Sequence, residues 1–350
     1  MSHSSNNGNS NNDSSDDDDD GGVNSGSSGE ELAPDEFEQY FVEHNNRLFH
    51  SHTTSPYPLP VDTPEQERQK VQHRLLFDVI GAHYPPNCPV QAVLAPDPAR
   101  QRYALDICTG TGKWAIDMAR DFPHVSFRGF DIVPIAPRLN LPPNVNFVMH
   151  DVNTVAPWAA GTFDLVHARS VSMAVTNYAS LLAECARLLR PGGAFIAGEW
   201  SRMIFTMAPP PAGGPPVPTP ITPQLAPFLH AFLGALHTAL GTPPNPLPPT
   251  APLAAPLLAA QPHFYVQNTI TPASHLFPLG GWHPDPAMQH IGRVFRNIFR
   301  RYMDSVRPLL DAKSGMPQAQ LNQLYVGVHQ EIRSVPGIWG LYNTVFARRA

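Results

Sequence analysis

Leu105-Asp-Ile-Cys-Thr-Gly-Thr-Gly-Lys-Trp114, followed by Gly129-Phe-Asp131, reads as strand, glycine loop, helix and second strand. The apolar run Tyr103–Cys108 predicts the first strand, Trp114–Asp121 the helix and Val125–Ile132 the second strand. Gly110 and Gly112 let the backbone between strand and helix come close to a ligand. Asp131 closes the second strand nineteen residues after Gly112. A carboxylate there can accept from both hydroxyls of a ribose, so the segment points to a nucleoside bound at the carboxyl ends of the strands.

The same alternation continues on the C-terminal side. Val145–His150, Phe163–Ala168 and Ala194–Glu199 read as further strands, with Ala179–Leu189 as a helix. Short, almost wholly apolar strands separated by helices imply a parallel sheet covered on both faces. The fold class is α/β, doubly wound and Rossmann-like.

Three nucleotide loops compete for the glycine segment. A P-loop needs Gly at 107 and Ser or Thr at 114, where this chain has Ile107 and Trp114. A dinucleotide fingerprint wants a third glycine, and Ala115 is only a small stand-in. Asp106 argues against that reading too, since a carboxylate repels a pyrophosphate and attracts a cationic ligand with an amino group. S-adenosylmethionine is such a ligand.

The 350 residues carry a formal net charge of −6, very unevenly spread. Residues 1–46 hold twelve acids and no base, so 23 bases against the other 17 acids leave the remainder at +6. That surplus is too small to mark a nucleic-acid binder. Residues 1–34, made of Ser, Asn, Gly and Asp, lack the apolar side chains to offset ordering entropy and are expected to be disordered. Cys88, Cys108 and Cys185 form no CxxC pair and no disulfide framework, as suits a reducing compartment. With no basic start and no apolar h-region, an intracellular protein, cytoplasmic or nuclear, is expected. No Asp, Glu, Lys or Arg occurs from Met203 to Pro284, yet Leu225–Leu240 contains Pro227, His230 and His237 and is too short to span a bilayer.

Around the centre, a helix is expected over about Pro64–Gly81, capped by Thr63. Residues 208–262 hold 17 of the 41 prolines. Two Pro-rich stretches, about 209–223 and 243–256, read as extended loops around one amphipathic helix carrying Leu225, Phe228, Leu229, Phe232, Leu236 and Leu240. Helices over about Pro286–Leu310 and Pro317–Arg333 and a strand at Ile338–Phe346 complete the chain. The first of these shows a basic face of Arg293, Arg296, Arg300 and Arg307, more simply a solvated surface than an anion site.

Asp106 to Trp114 resembles motif I of the class I S-adenosylmethionine-dependent methyltransferases and, more narrowly, that of the fungal LaeA-like methyltransferases of secondary metabolism. Tyr57-Pro-Leu-Pro60, Glu65-Gln-Glu-Arg68, Gln72-His73, Pro142-Pro-Asn-Val145, Phe163–Ser170, Leu189-Arg-Pro-Gly-Gly193 and Leu279-Gly-Gly-Trp282 are similar to further blocks of that group. The resemblance implies a seven-stranded methyltransferase domain over residues 46–350, after the tail. Its core would be 101–200, its insertion with a lid helix 208–262, and its C-terminal strands and helices 263–350.

It also implies roles. Asp106, Cys108, Thr109, Gly110, Thr111 and Gly112 would hold the methionine part of the cofactor and Asp131 the ribose. Asp151 would reach the adenine amino group, with Ile132 and Val152 against the ring. His167, Ala168 and Arg169 would sit by the methyl group and substrate. Cys108 departs from the family pattern, which has Gly there, and would crowd or tilt the loop. Methyl transfer from a sulfonium needs no metal, and none is expected. A hydroxyl acceptor would want a base, for which His167 and Glu199 are the candidates. The expected partner is a small-molecule substrate, with a regulatory protein partner as an addition, and neither nucleic acid nor membrane. Two alternatives stand beside this: a cofactor-binding regulator that transfers nothing, and a nucleotide-dependent oxidoreductase.

Overall fold

The computed structural model describes residues 38–209, 214–241, 261 and 265–350. The expected tail and the second Pro-rich stretch lie outside them. A hairpin of β1 (Phe41–His44) and β2 (Arg47–His50) leads to α1 (Thr63–Ile80) and the short α2 (Val90–Val93). Then come β3 (Arg102–Ile107), α3 (Lys113–Asp121), β4 (Val125–Asp131), β5 (Val145–Met149), β6 (Phe163–Arg169), α4 (Tyr178–Leu188) and β7 (Leu189–Ala208). The chain continues through β8 (Val217–Pro220), α5 (Pro227–Ala239), β9 (Thr271–Pro278), α6 (Pro286–Lys313), α7 (Gln318–Ser334) and β10 (Ile338–Arg348).

Apart from the two-stranded β1–β2 hairpin, the strands form one sheet in the order β5-β4-β3-β6-β7-β10-β9, with β8 paired to the far end of β7. The pairs from β5 to β7 are parallel, whereas β10 runs antiparallel to both β7 and β9. The chain winds outward from β3 through β4 to β5, then returns to the other side of β3 with β6. This reversal opens a crevice at the carboxyl ends of β3 and β6, where doubly wound sheets bind ligands. The alternation of β3 shows why both faces are covered. Leu105 and Ile107 pack with Leu181, Leu182 and Cys185 of α4, while Ala104 packs with Trp114, Ala115 and Met118 of α3. A third cluster joins α1, α5, α6 and α7 over the C-terminal strands, bringing Leu76, Phe232, Phe295, Met303 and Val328 together. Among the described residues no helix is long and apolar enough to cross a membrane.

Three expectations are corrected. The cap of α1 is Asp62, not Thr63: its carboxylate accepts from the Glu65 N–H at 3.2 Å while also pairing with Arg47. The strand expected at Ala194–Glu199 runs from Leu189 to Ala208, because β10 pairs with it from Ala194 to Thr206. Within the first Pro-rich stretch, Val217–Pro220 is an edge strand rather than a loop. Prolines are tolerated there because an edge leaves some N–H positions without a ladder role. On α6, Arg307 is tied to Asp311, Gln318 and Asn322 and lies 4.9 Å over the Tyr325 ring, so it stitches α6 to α7 rather than joining an open basic face.

Candidate functional site

A cavity of about 230 Å³ opens at the carboxyl ends of β3, β4, β5 and β6. It is lined on one side by Asp106, Cys108, Thr109, Gly110, Thr111, Asp131, Ile132, Asp151, Val152 and Arg169. Tyr57 from the loop between β2 and α1, and Arg68, Gln69 and Gln72 from α1, close it, and Glu199, Trp200, Arg202, Leu233, Phe295 and Tyr302 form its other half. Gly112, His167 and Ala168, expected at the ligand, do not line it. Gly112 caps α3 with φ 68°, and a Cβ there would lie 2.5 Å from the Phe147 ring, so it is a packing glycine. Ala168 is wholly buried within β6.

His167 is corrected most clearly. Its Nδ1 meets Asp106 Oδ1 at 2.7 Å, and its ring stacks on Trp114 with centroids 3.7 Å apart. Side chains of adjacent parallel strands at matched register share a face, and Asp106 pairs with His167 across β3 and β6. The imidazole therefore orients Asp106 from below, and burial holds its pKa down against the pull of that carboxylate. The other Asp106 oxygen accepts from Thr109 Oγ1 at 2.6 Å, so the acid and its loop are braced together.

Asp131 ties the glycine loop to the end of β4. Oδ2 accepts from the Gly110 N–H at 2.8 Å and Oδ1 from the Ile132 N–H at 2.8 Å. Burial outweighs these bonds and pushes its pKa up to about 6. Asp151 accepts from the Asn153 backbone and side-chain N–H groups on one oxygen, Oδ1. Glu199 is 5% exposed; Oε1 accepts from the Val171 and Ser172 N–H groups, and Oε2 accepts from the Ser172 hydroxyl. Burial raises it to about 7 despite those donors.

Cys108 has φ 51°, in the left-handed region that favours glycine, and its thiol enters the cavity wall. The departure from the family pattern thus has a backbone cost of about 1–2 kcal/mol. Burial, with Asp131 and Asp106 nearby, keeps the thiol protonated by raising its pKa well above the usual range. Cys108→Gly relieves the strain and clears the wall, whereas Cys108→Ala clears the thiol and keeps the strain. The Gly variant is expected to bind a nucleoside ligand at least as tightly as the parent and to melt above the Ala variant. Weaker binding by both variants would show that the sulfur contacts the ligand.

Behind the loop, His73, His83 and Asp117 place three ligand-type atoms within 4.8 Å of one another. The two imidazoles lie nearly parallel, 13° apart, so their in-plane lone pairs diverge. Asp117 is already held by His73, Lys113 and Arg120. Burial lowers the His73 pKa to about 4, so its bond to Asp117 is a hydrogen bond from a neutral imidazole that ties α1 to α3, while Lys113 and Arg120 pair with Asp117 within α3. Sequence reasoning missed Trp200, Arg202, Phe295 and Tyr302, which lie far from motif I in the chain and reach the cavity only through packing. Tyr57, Arg68 and Gln72 had a signal in the lead-in blocks, without a role.

Comparison with known proteins agrees with this geometry. The methyltransferase domain family matches residues 104–193. The secondary metabolism regulator laeA of Coprinopsis cinerea is 35% identical over 163 residues, 47% of this chain and 40% of that protein. The laeA of Aspergillus niger is 35% identical over 157 residues, 44% of this chain and 39% of that protein. A protein of Emericella nidulans named protein-methionine methyltransferase laeA is 34% identical over 157 residues, 44% of this chain and 39% of its own length. The matched part spans about two fifths of the length of these relatives. Residues 104–193 thus match a methyltransferase domain family and lie on a Rossmann-like sheet, and the chain resembles the laeA regulators of fungal secondary metabolism.

Proposed function

We propose that the chain binds S-adenosylmethionine across Asp106, Asp131 and Asp151 and passes its methyl group to an acceptor in the other half of the cavity, as part of the control of secondary metabolism. The observation that carries this reading is the convergence of three carboxylates, from three adjacent parallel strands, on one cavity at the switch point. The residues fit the cofactor. Asp106, braced by His167 and Thr109, offers negative charge to an ammonium group, and Asp131 offers acceptors to a ribose. Gly110 lets the backbone approach, since a Cβ there would meet Gln69 Oε1 at 3.0 Å.

The cofactor supplies a methyl group on a cationic sulfur, which leaves as a neutral thioether. The protein supplies alignment and exclusion of water, which contribute up to about 7–11 kcal/mol when the geometry is right. In this reading Glu199, with a pKa near 7 in the opposite wall of the cavity, takes the proton of a hydroxyl acceptor. His167 does not, because its Nδ1 is bonded to Asp106, its ring face is stacked on Trp114 and it does not line the cavity.

The test is calorimetric titration with S-adenosylmethionine and S-adenosylhomocysteine, with NADH as comparator and Asp131→Ala as control. Binding of both sulfur nucleosides, lost in the variant, supports the reading and moves the work to acceptors. Binding of NADH alone revives the oxidoreductase alternative. Sulfur nucleosides that bind without transfer to any acceptor favour the regulator. Cys108 at positive φ inside the cofactor wall is the feature that favours that second reading.

A further inference from the structure

The acceptor half of the cavity is floored by β7 where its pairing with β10 is broken. Ile204 pairs with Gly340 and Trp200 with Tyr342, so Ser201, Arg202 and Met203 together oppose the single residue Leu341. A bulge interrupts the in–out alternation of a strand and re-aims its side chains. Four consecutive residues, Glu199 to Arg202, consequently line one cavity, which a regular strand does not allow.

Arg202 arrives there without a salt-bridge partner among the described residues and acts on Glu199 only through space. Its Nη2 reaches the Ser172 carbonyl at 3.3 Å and the Ser172 hydroxyl at 3.4 Å, the long end of hydrogen bonding. Its Nε is buried and has no partner. The nearby acid, Glu199, spends its oxygens on the 171–172 backbone and Ser172. By contrast, Arg68 in the same cavity is doubly bonded to Glu65. Arg169, another cavity guanidinium, closes β6 at the cofactor end.

Most of the other side chains lining Arg202's half of the cavity are apolar or aromatic: Leu233 from α5, and Phe295, Phe299 and Tyr302 from α6. A partly desolvated guanidinium in such a place is costly unless a ligand anion completes it. Its flat fork fits a carboxylate through two parallel bonds.

We propose that Arg202 anchors the carboxylate of an acceptor whose remaining body is apolar and sits against Phe295, Phe299 and Tyr302. The word acceptor rests on the methyltransferase reading; the carboxylate site does not need it. The probes are 4-phenylbutyrate and its neutral analogue 4-phenylbutyramide. Each is titrated into the full chain by calorimetry, with and without S-adenosylhomocysteine, whose own binding is measured on the same samples. The acid should bind at least about tenfold more tightly than the amide, as charge-assisted pairing requires. Arg202→Met should remove that preference by weakening the acid alone, and Arg202→Lys should keep part of it. Circular dichroism and melting temperature verify that both variants are folded. Equal binding of acid and amide, no binding of the acid at millimolar concentration, or a preference that survives Arg202→Met overturns the proposal. A preference seen in a chain that does not bind S-adenosylhomocysteine keeps the carboxylate site and removes the methyltransferase reading. The opposite pattern does the reverse.

Discussion

Asp131→Ala is expected to lower affinity for S-adenosylmethionine by about a hundredfold while the chain stays folded. A carboxylate that accepts from two ribose hydroxyls contributes about 1.5 kcal/mol or more per bond, and about 3 kcal/mol is a hundredfold in affinity. The side chain also holds the Gly110 and Ile132 N–H groups, so the variant loosens the motif I turn at the place where the ligand lies. The pH dependence has a definite sign. With a pKa near 6, Asp131 gains a proton as the pH falls through 6 and becomes the poorer acceptor. Parent affinity should therefore drop between pH 7 and pH 5, and in Asp131→Ala that part of the dependence should vanish. Calorimetry across that range is the measurement; a variant that binds within threefold of the parent would remove Asp131 from the site.

Glu199→Gln is expected to change the pH profile of stability. The carboxyl titrates near 7 when folded and at its ordinary 4.5 when unfolded. Because the folded value is the higher, the protonated side chain favours the fold below 4.5, and that advantage is lost as the pH rises through 7. The span corresponds to about 3 kcal/mol. Glutamine copies the protonated form: its carbonyl accepts from Val171 and Ser172, and its amide donates to the Ser172 hydroxyl in place of the carboxyl proton. Denaturant unfolding should show the parent weakening relative to the variant from pH 5 to pH 8. Parallel curves would show that Glu199 is ionised in the fold. Where the acceptor is a hydroxyl, the same variant should lose about a hundredfold or more in turnover with cofactor affinity retained.

How much of the site was legible in the sequence differs by half. The half lined by Asp106, Asp131 and Asp151 was, because each sits within a residue or two of a strand's carboxyl end, which puts its side chain at the crevice. Cys108 stood out against the family pattern, and the structure supplies the physical content: φ 51° at a turn where a Cβ is unfavourable. What His167 bonds to was not legible, because a strand's alternation is visible in sequence while its register is not. Only the pairing of Asp106 with His167 shows that the imidazole supports the acid instead of facing a substrate. The edge strand Val217–Pro220 was missed for a related reason, since its prolines argue against any strand until the partner β7 is known.

By itself the sequence determined the doubly wound core and the cavity wall of Asp106, Asp131 and Asp151, where short-range pattern is enough: apolar runs, glycines at turns and acids near strand ends. Tertiary structure alone decided the opposite wall. Trp200 and Arg202 reach the cavity through a bulge created by pairing with β10, more than a hundred residues later, and Phe295 and Tyr302 through the packing of α6. A bulge depends on where two distant strands fall out of register, and a helix face on what it packs against. Neither leaves a local mark on the amino-acid sequence.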